Sequence, residues 1–96
     1  MNWSIKNDKL ERSFRFENFK EAINFVNEVA AIAEDKNHHP SIFIHSYKIV
    51  DIGLTTADKG NTITDKDYKV SKLIDEIITK PLWTESAIGL DKNKIL

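Results

Sequence analysis

The chain has 96 residues and a formal charge of −1 at pH 7, which leaves room for one domain with a modest core and supplies no basic stripe of the kind that neutralises phosphates. Nucleic acid is thus not an expected partner, and the absence of cysteine removes disulfides and thiolate catalysis. No apolar run approaches the roughly 18 residues of a membrane span, and residues 1–6 lack a signal-peptide core, so no membrane contact and a cytoplasmic location are expected.

The opening residues 3–6 read as a short strand, Asn7-Asp8 as a turn, and residues 9–16 as a second strand with Leu10, Phe14 and Phe16 on one face. Asn18 followed by Glu21 is a capping-box signal for a helix. Its apolar stripe runs through Ala22, Ile23, Val26, Val29, Ala30 and Ala33, widened by Phe25 and Ile32. Pro40 pushes the residue before it out of the helical region, so the helix is predicted to stop near Asn37 or His38.

Ile42 and Ile44 alternate with Phe43 and His45, and Val50, Ile52 and Leu54 with Asp51, Gly53 and Thr55, giving two more strands with Ser46-Tyr47 near the turn. Residues 57–62, with Asp58, Gly60 and Asn61, form a loop by composition. A second helix starts at Thr64 with Asp67 in the capping-box position. Its apolar residues Val70, Leu73, Ile74, Ile77 and Ile78 sweep an arc wide enough to touch both the sheet and a second subunit, opposite Asp65, Lys69, Lys72, Asp75 and Glu76. Pro81 ends it, and residues 81–96 form a tail after a domain spanning 1–80; Trp83, Ile88, Leu90, Ile95 and Leu96 are placed to fold back on the surface. No repeat and no low-complexity linker interrupts the chain.

Two hairpins, each followed by a helix, give strand-strand-helix-strand-strand-helix. Both helical stripes need cover from one sheet face, so the predicted fold is an α+β two-layer sandwich with an antiparallel four-stranded sheet. So small a core also favours association into a homodimer or homotetramer.

Function is concentrated in Glu34-Asp35-Lys36-Asn37-His38-His39-Pro40, where two adjacent imidazoles stand at a proline corner just past a helix. Imidazole titrates near neutrality and is suited to acid/base work. Plainer readings exist. The two histidines can complement the carbonyl end of the helix dipole. Glu34 and His38 have i, i+4 ligand spacing, but no further ligand falls at a telling interval, and no metal is expected. Asp67 can be a cap alone, Tyr47 a core or turn packing residue, and Trp3 and Trp83 surface covers.

Taken with Phe14-Arg15-Phe16-Glu17-Asn18-Phe19 before it and Leu54-Thr55-Thr56 after it, the His38-His39-Pro40 corner resembles that of the pterin-4a-carbinolamine dehydratases. The resemblance implies the same strand and helix order. It also implies dehydration of a 4a-hydroxytetrahydropterin to a quinonoid dihydropterin, with a reduced pterin as substrate and no cofactor. By it, His38, His39 and Glu34 are catalytic, with the Glu34 carboxylate four residues before His38 and able to orient its ring. Pro40, Thr55, Thr56, Ala57 and Asp67 are expected to bind substrate, and Tyr47 matches an aromatic position. Ala57 stands where the family carries a third histidine, with His45 as the nearby candidate replacement. The alternative implied by that departure is a non-catalytic interaction or assembly factor with a protein partner, because relatives of this fold serve an animal transcription factor and a carbon-fixing enzyme in that way.

Overall fold

The computed structural model describes residues 2–79; the tail expected over 81–96 lies outside them. In chain order the elements are β1 (Ser4–Ile5), β2 (Leu10–Arg15), α1 (Phe19–Lys36), β3 (Ser41–His45), β4 (Ile49–Leu54), a 3₁₀ turn (Ala57–Lys59) and α2 (Asp65–Ile78). The strands form one antiparallel sheet in the order β1-β2-β4-β3. Both helices pack against it, and the α+β sandwich read from the sequence is the fold observed.

Backbone conformation explains the two hairpins. Asn7 and Asp8 both take left-handed φ values of 53° and 56°, the pair that matches the twist of the flanking strands. Ser46 and Tyr47 do the same at 50° and 52°; Tyr47 is left 60% exposed with Lys48 Nζ 5.4 Å from its ring centroid. Tyr47 is therefore a turn residue, as its position near the turn predicts, and not a core one.

The core lies between the sheet and the helices. Leu10, Phe14, Val50, Ile52 and Leu54 face inward from β2 and β4. Phe25 is wedged between the rings of Phe14 and Phe16, at 4.7 and 4.9 Å. The buried stripe of α1 is Ala22, Phe25, Val29 and Ala33, so Phe25 is its centre, Ile23 and Val26 are half-buried flanks, and Ala30 faces out.

On α2 the arc expected to meet a second subunit is largely consumed inside the molecule. Val70, Ile74 and Ile77 are buried in the core, and Leu73 and Ile78 are half covered. Asp75, placed on the solvent side by sequence, accepts hydrogen bonds from Trp3 Nε1 at 2.9 Å and Arg12 Nη1 at 2.6 Å. That tie seats Trp3 at 4% exposure, inside the core rather than over the surface, edge-on to Phe14.

Candidate functional site

The site is built where α1 ends, β4 ends and α2 begins. At the first of these, Asn37 is left-handed (φ 50°, ψ 42°), the Asn37 amide bonds the Glu34 carbonyl, and the His38 amide bonds the Ala33 carbonyl at 3.1 Å. This reciprocal closure ends the helix and turns the chain out of its axis. His38 consequently does not share a helix face with Glu34, and the pairing expected between them is not formed.

Each histidine takes a different carboxylate. His39 Nε2 meets Glu34 Oε2 at 2.7 Å on the surface, with both side chains more than half exposed. His38 turns inward, and its Nε2 lies 2.6 Å from Asp67 Oδ1; the side chains are 10% and 0% exposed. The exposed pair is screened and weak, whereas the sheltered one is a fixed constellation.

Asp67 is the hub. Its Oδ2 accepts from the Thr64 amide at 2.9 Å, which is the capping contact read from the sequence, and from Thr56 Oγ1 at 2.7 Å. Thr56 Oγ1 is also 2.6 Å from Thr64 Oγ1. One carboxylate thus caps α2, ties down the end of β4 and holds His38. Burial acts to raise its pKa, but the His38 ring, the Thr64 amide and the Thr56 hydroxyl outweigh that and hold it below the usual aspartate range.

The sign of the consequence for stability is fixed. A carboxylate whose folded pKa is depressed contributes stability that is present above its unfolded pKa, about 3.9, and is lost as pH falls through the folded value. Asp67→Asn is therefore expected to shrink the difference in urea midpoint between pH 7 and pH 3. An unchanged pH difference in the variant would contradict this.

The other site residues divide. Thr56 is 2% exposed and belongs to the Asp67 network, while Thr55 Oγ1 points elsewhere and donates to the Asp8 carbonyl at 3.0 Å. Pro40 is half-buried between His39 and β3, and Ala57 is exposed at the start of the 3₁₀ turn, whose Gly60 closes it at φ 76°. His45 is not a replacement for the missing histidine. It sits at the far end of β3, about 13 Å of strand from Ser41, with Nε2 3.0 Å from Asp51 Oδ2 and Nδ1 3.3 Å from Ser46 Oγ. Among the described residues no group of three or more His, Cys, Asp or Glu is placed to hold a metal, and no helix is long and apolar enough to cross a membrane.

What sequence reasoning missed is the His38–Asp67 pairing and the part played by the Thr64 hydroxyl. Thr64-x-x-Asp67 announced the cap, but nothing in a spacing of 29 residues announces a partner.

A family model described as pterin 4 alpha carbinolamine dehydratase matches residues 1–77. A protein of Sulfurisphaera tokodaii, assigned by name as a pterin-4-alpha-carbinolamine dehydratase, is 47% identical over 77 residues, covering 80% of this chain and 81% of that one. One from Chloroflexus aurantiacus with the same assignment is 46% identical over 76 residues, covering 79% and 80%. Among solved structures, a transcriptional coactivator/pterin dehydratase from Brucella melitensis superposes with a TM-score of 0.73 at 32% identity, over 79% of this chain and 81% of that one. A pterin dehydratase-like RuBisCO assembly factor of the alpha-carboxysome gives 0.67 at 20% identity, over 80% and 89%, a likeness of fold alone.

Proposed function

The chain belongs to the pterin 4 alpha carbinolamine dehydratase family, and from that premise we propose that it dehydrates a 4a-hydroxytetrahydropterin to the quinonoid dihydropterin by histidine acid/base catalysis. The reaction breaks the bond between C4a and the hydroxyl oxygen. The neighbouring ring nitrogen gives up a proton and forms a double bond to C4a, and the hydroxyl leaves, protonated, as water. No electrons are gained or lost, so the work asked of the protein is proton transfer and alignment of a flat heterocycle.

The observation that carries the reading is the sheltered His38–Asp67 pair. Structural helix ends do not need an imidazole held by a fully buried carboxylate, whereas a proton-transfer group does need a fixed orientation. His39, aligned by Glu34, is the second imidazole. Pro40 and Ala57 border the pterin, while Thr56 and Asp67 act from behind His38.

One observation favours a second reading, a non-catalytic interaction or assembly factor. Ala57 presents a methyl group where the family resemblance calls for a third histidine, and a methyl group moves no proton. In either case a homo-oligomer has a seam available at the free edge of the sheet. β3 carries no Asp, Glu, Lys or Arg, and its Phe43 is 62% exposed, the profile of an edge that pairs with another strand.

Stopped-flow decay of enzymatically generated 4a-hydroxytetrahydropterin tests the proposal. Turnover well above the uncatalysed rate is expected, together with shifts of the His38 and His39 ring signals on adding a reduced pterin analogue. Decay at the uncatalysed rate would leave the interaction factor as the better account.

A further inference from the structure

We propose that Asp67 is a positioning residue that fixes neutral His38 in its Nε2–H tautomer, so that Nδ1 is the ring atom through which the proton moves. The inference rests on the dehydratase reading for its kinetic consequence but not for the tautomer itself.

The donors around Asp67 fix the tautomer. The Thr64 amide can only donate, and it donates to Asp67 Oδ2 at 2.9 Å. The Thr56 hydroxyl has one proton, given to the same oxygen at 2.7 Å, so the 2.6 Å contact between Thr56 Oγ1 and Thr64 Oγ1 must use the Thr64 hydroxyl proton. Every partner of Oδ2 therefore arrives with a hydrogen, which leaves no proton on that oxygen. Because the His38 ring and these donors outweigh burial and hold Asp67 below the usual aspartate range, Oδ1 carries none at neutral pH, so Asp67 is an ionised, acceptor-only carboxylate. An acceptor-only Oδ1 at 2.6 Å from His38 Nε2 requires that Nε2 carry the hydrogen.

The basic lone pair of neutral His38 is then on Nδ1. That atom makes no hydrogen bond among the described residues, and it is not among their sealed, unpartnered polar atoms. It is the free atom of the ring. As the C4a–O bond breaks, Nδ1 takes the proton released by the ring nitrogen, and the resulting imidazolium keeps its Nε2–H on the Asp67 carboxylate. The proton on the departing hydroxyl comes from solvent through the exposed His39, so the two imidazoles regain their starting protonation by exchange with water.

The same donors predict an inversion. In Asp67→Asn the side-chain carbonyl must face the Thr64 amide and the Thr56 hydroxyl, because both are donors. The amide NH₂ then faces His38 Nε2, which can only accept, and the ring hydrogen moves to Nδ1. A loss of about 10²–10⁴-fold in kcat with little change in KM is expected, since the reactive lone pair has been turned away from the substrate. Thr56→Val removes one donor from Oδ2 and is expected to cost roughly 10-fold in kcat, with Thr56→Ser restoring it.

The decisive readout is independent of activity. Long-range ¹H–¹⁵N correlation spectra of the pterin-free protein, recorded where the ring is neutral, report which nitrogen of His38 is protonated. Protonated Nε2 in the wild type and protonated Nδ1 in Asp67→Asn are expected. Protonated Nδ1 in the wild type, or an unchanged Nε2–H in a folded Asp67→Asn, would overturn the proposal. Full kcat in Thr56→Val would remove the threonine from it. A wild type without turnover but with the expected tautomer would retire the dehydratase reading and leave the positioning role of Asp67 standing.

Discussion

His38→Gln is expected to lower kcat for carbinolamine dehydration by about 10²–10⁴-fold, the contribution of one well-placed acid/base group. Glutamine is the informative substitution because its amide nitrogen can reach the Asp67 carboxylate much as Nε2 does, so the contact at 2.6 Å survives while the titrating ring does not. His38→Ala confuses two effects. It also strands a fully buried carboxylate without its partner, a change that costs about 3–5 kcal/mol. The measurement is kcat by stopped flow beside the thermal midpoint. A His38→Gln protein that is folded and as active as wild type would remove His38 from the chemistry.

Ala57→His is expected to act in the opposite direction, raising kcat by as much as roughly 10²–10⁴-fold with little change in pterin affinity. Ala57 directly follows Thr56, whose hydroxyl binds Asp67, and it is exposed at the start of the 3₁₀ turn. An imidazole placed there displaces no core residue, since Ala57 is exposed. Geometry decides the outcome, because a misplacement of about 1 Å can cost about 10²-fold. An active wild type with no gain in Ala57→His would mean that the turn holds position 57 away from the reacting atoms. Absence of catalysis in both proteins would favour the interaction factor.

The fold was legible because its signals are local. The Asn18 cap, the three-and-four spacing of Ala22, Phe25, Val29 and Ala33, and the alternation in β4 each declare an element within a few residues. The site was legible only in its parts. His38, His39, Thr56 and Asp67 were all picked out, yet the orientation of His38 was misread. The helix stop near Asn37 was read correctly, but the Glu34–His38 pairing needed the last turn to persist, and the left-handed conformation of Asn37 sends one histidine inward and leaves the other to Glu34. The sheet-facing part of the α2 arc was legible, with Val70, Ile74 and Ile77 in the core, but how much of the arc is left over for a second subunit was not. Apolar breadth in sequence does not say how much of it the chain's own sheet will cover, and here Ile77 is 3% exposed in the single chain.

α2 is fastened at both ends to distant parts of the chain. Near its start Asp67 bridges 29 residues back to His38, and near its finish Asp75 bridges 72 residues back to Trp3. Helices ordinarily loosen from their tips inward, since terminal amides have the fewest tertiary ties. Here each tip is secured by a long-range contact, so α2 can open only by releasing α1's corner or the N-terminal hairpin with it. The His38–Asp67 geometry and the integrity of the molecule therefore share one cooperative unit, and an opening that frees His38 is also a step towards unfolding.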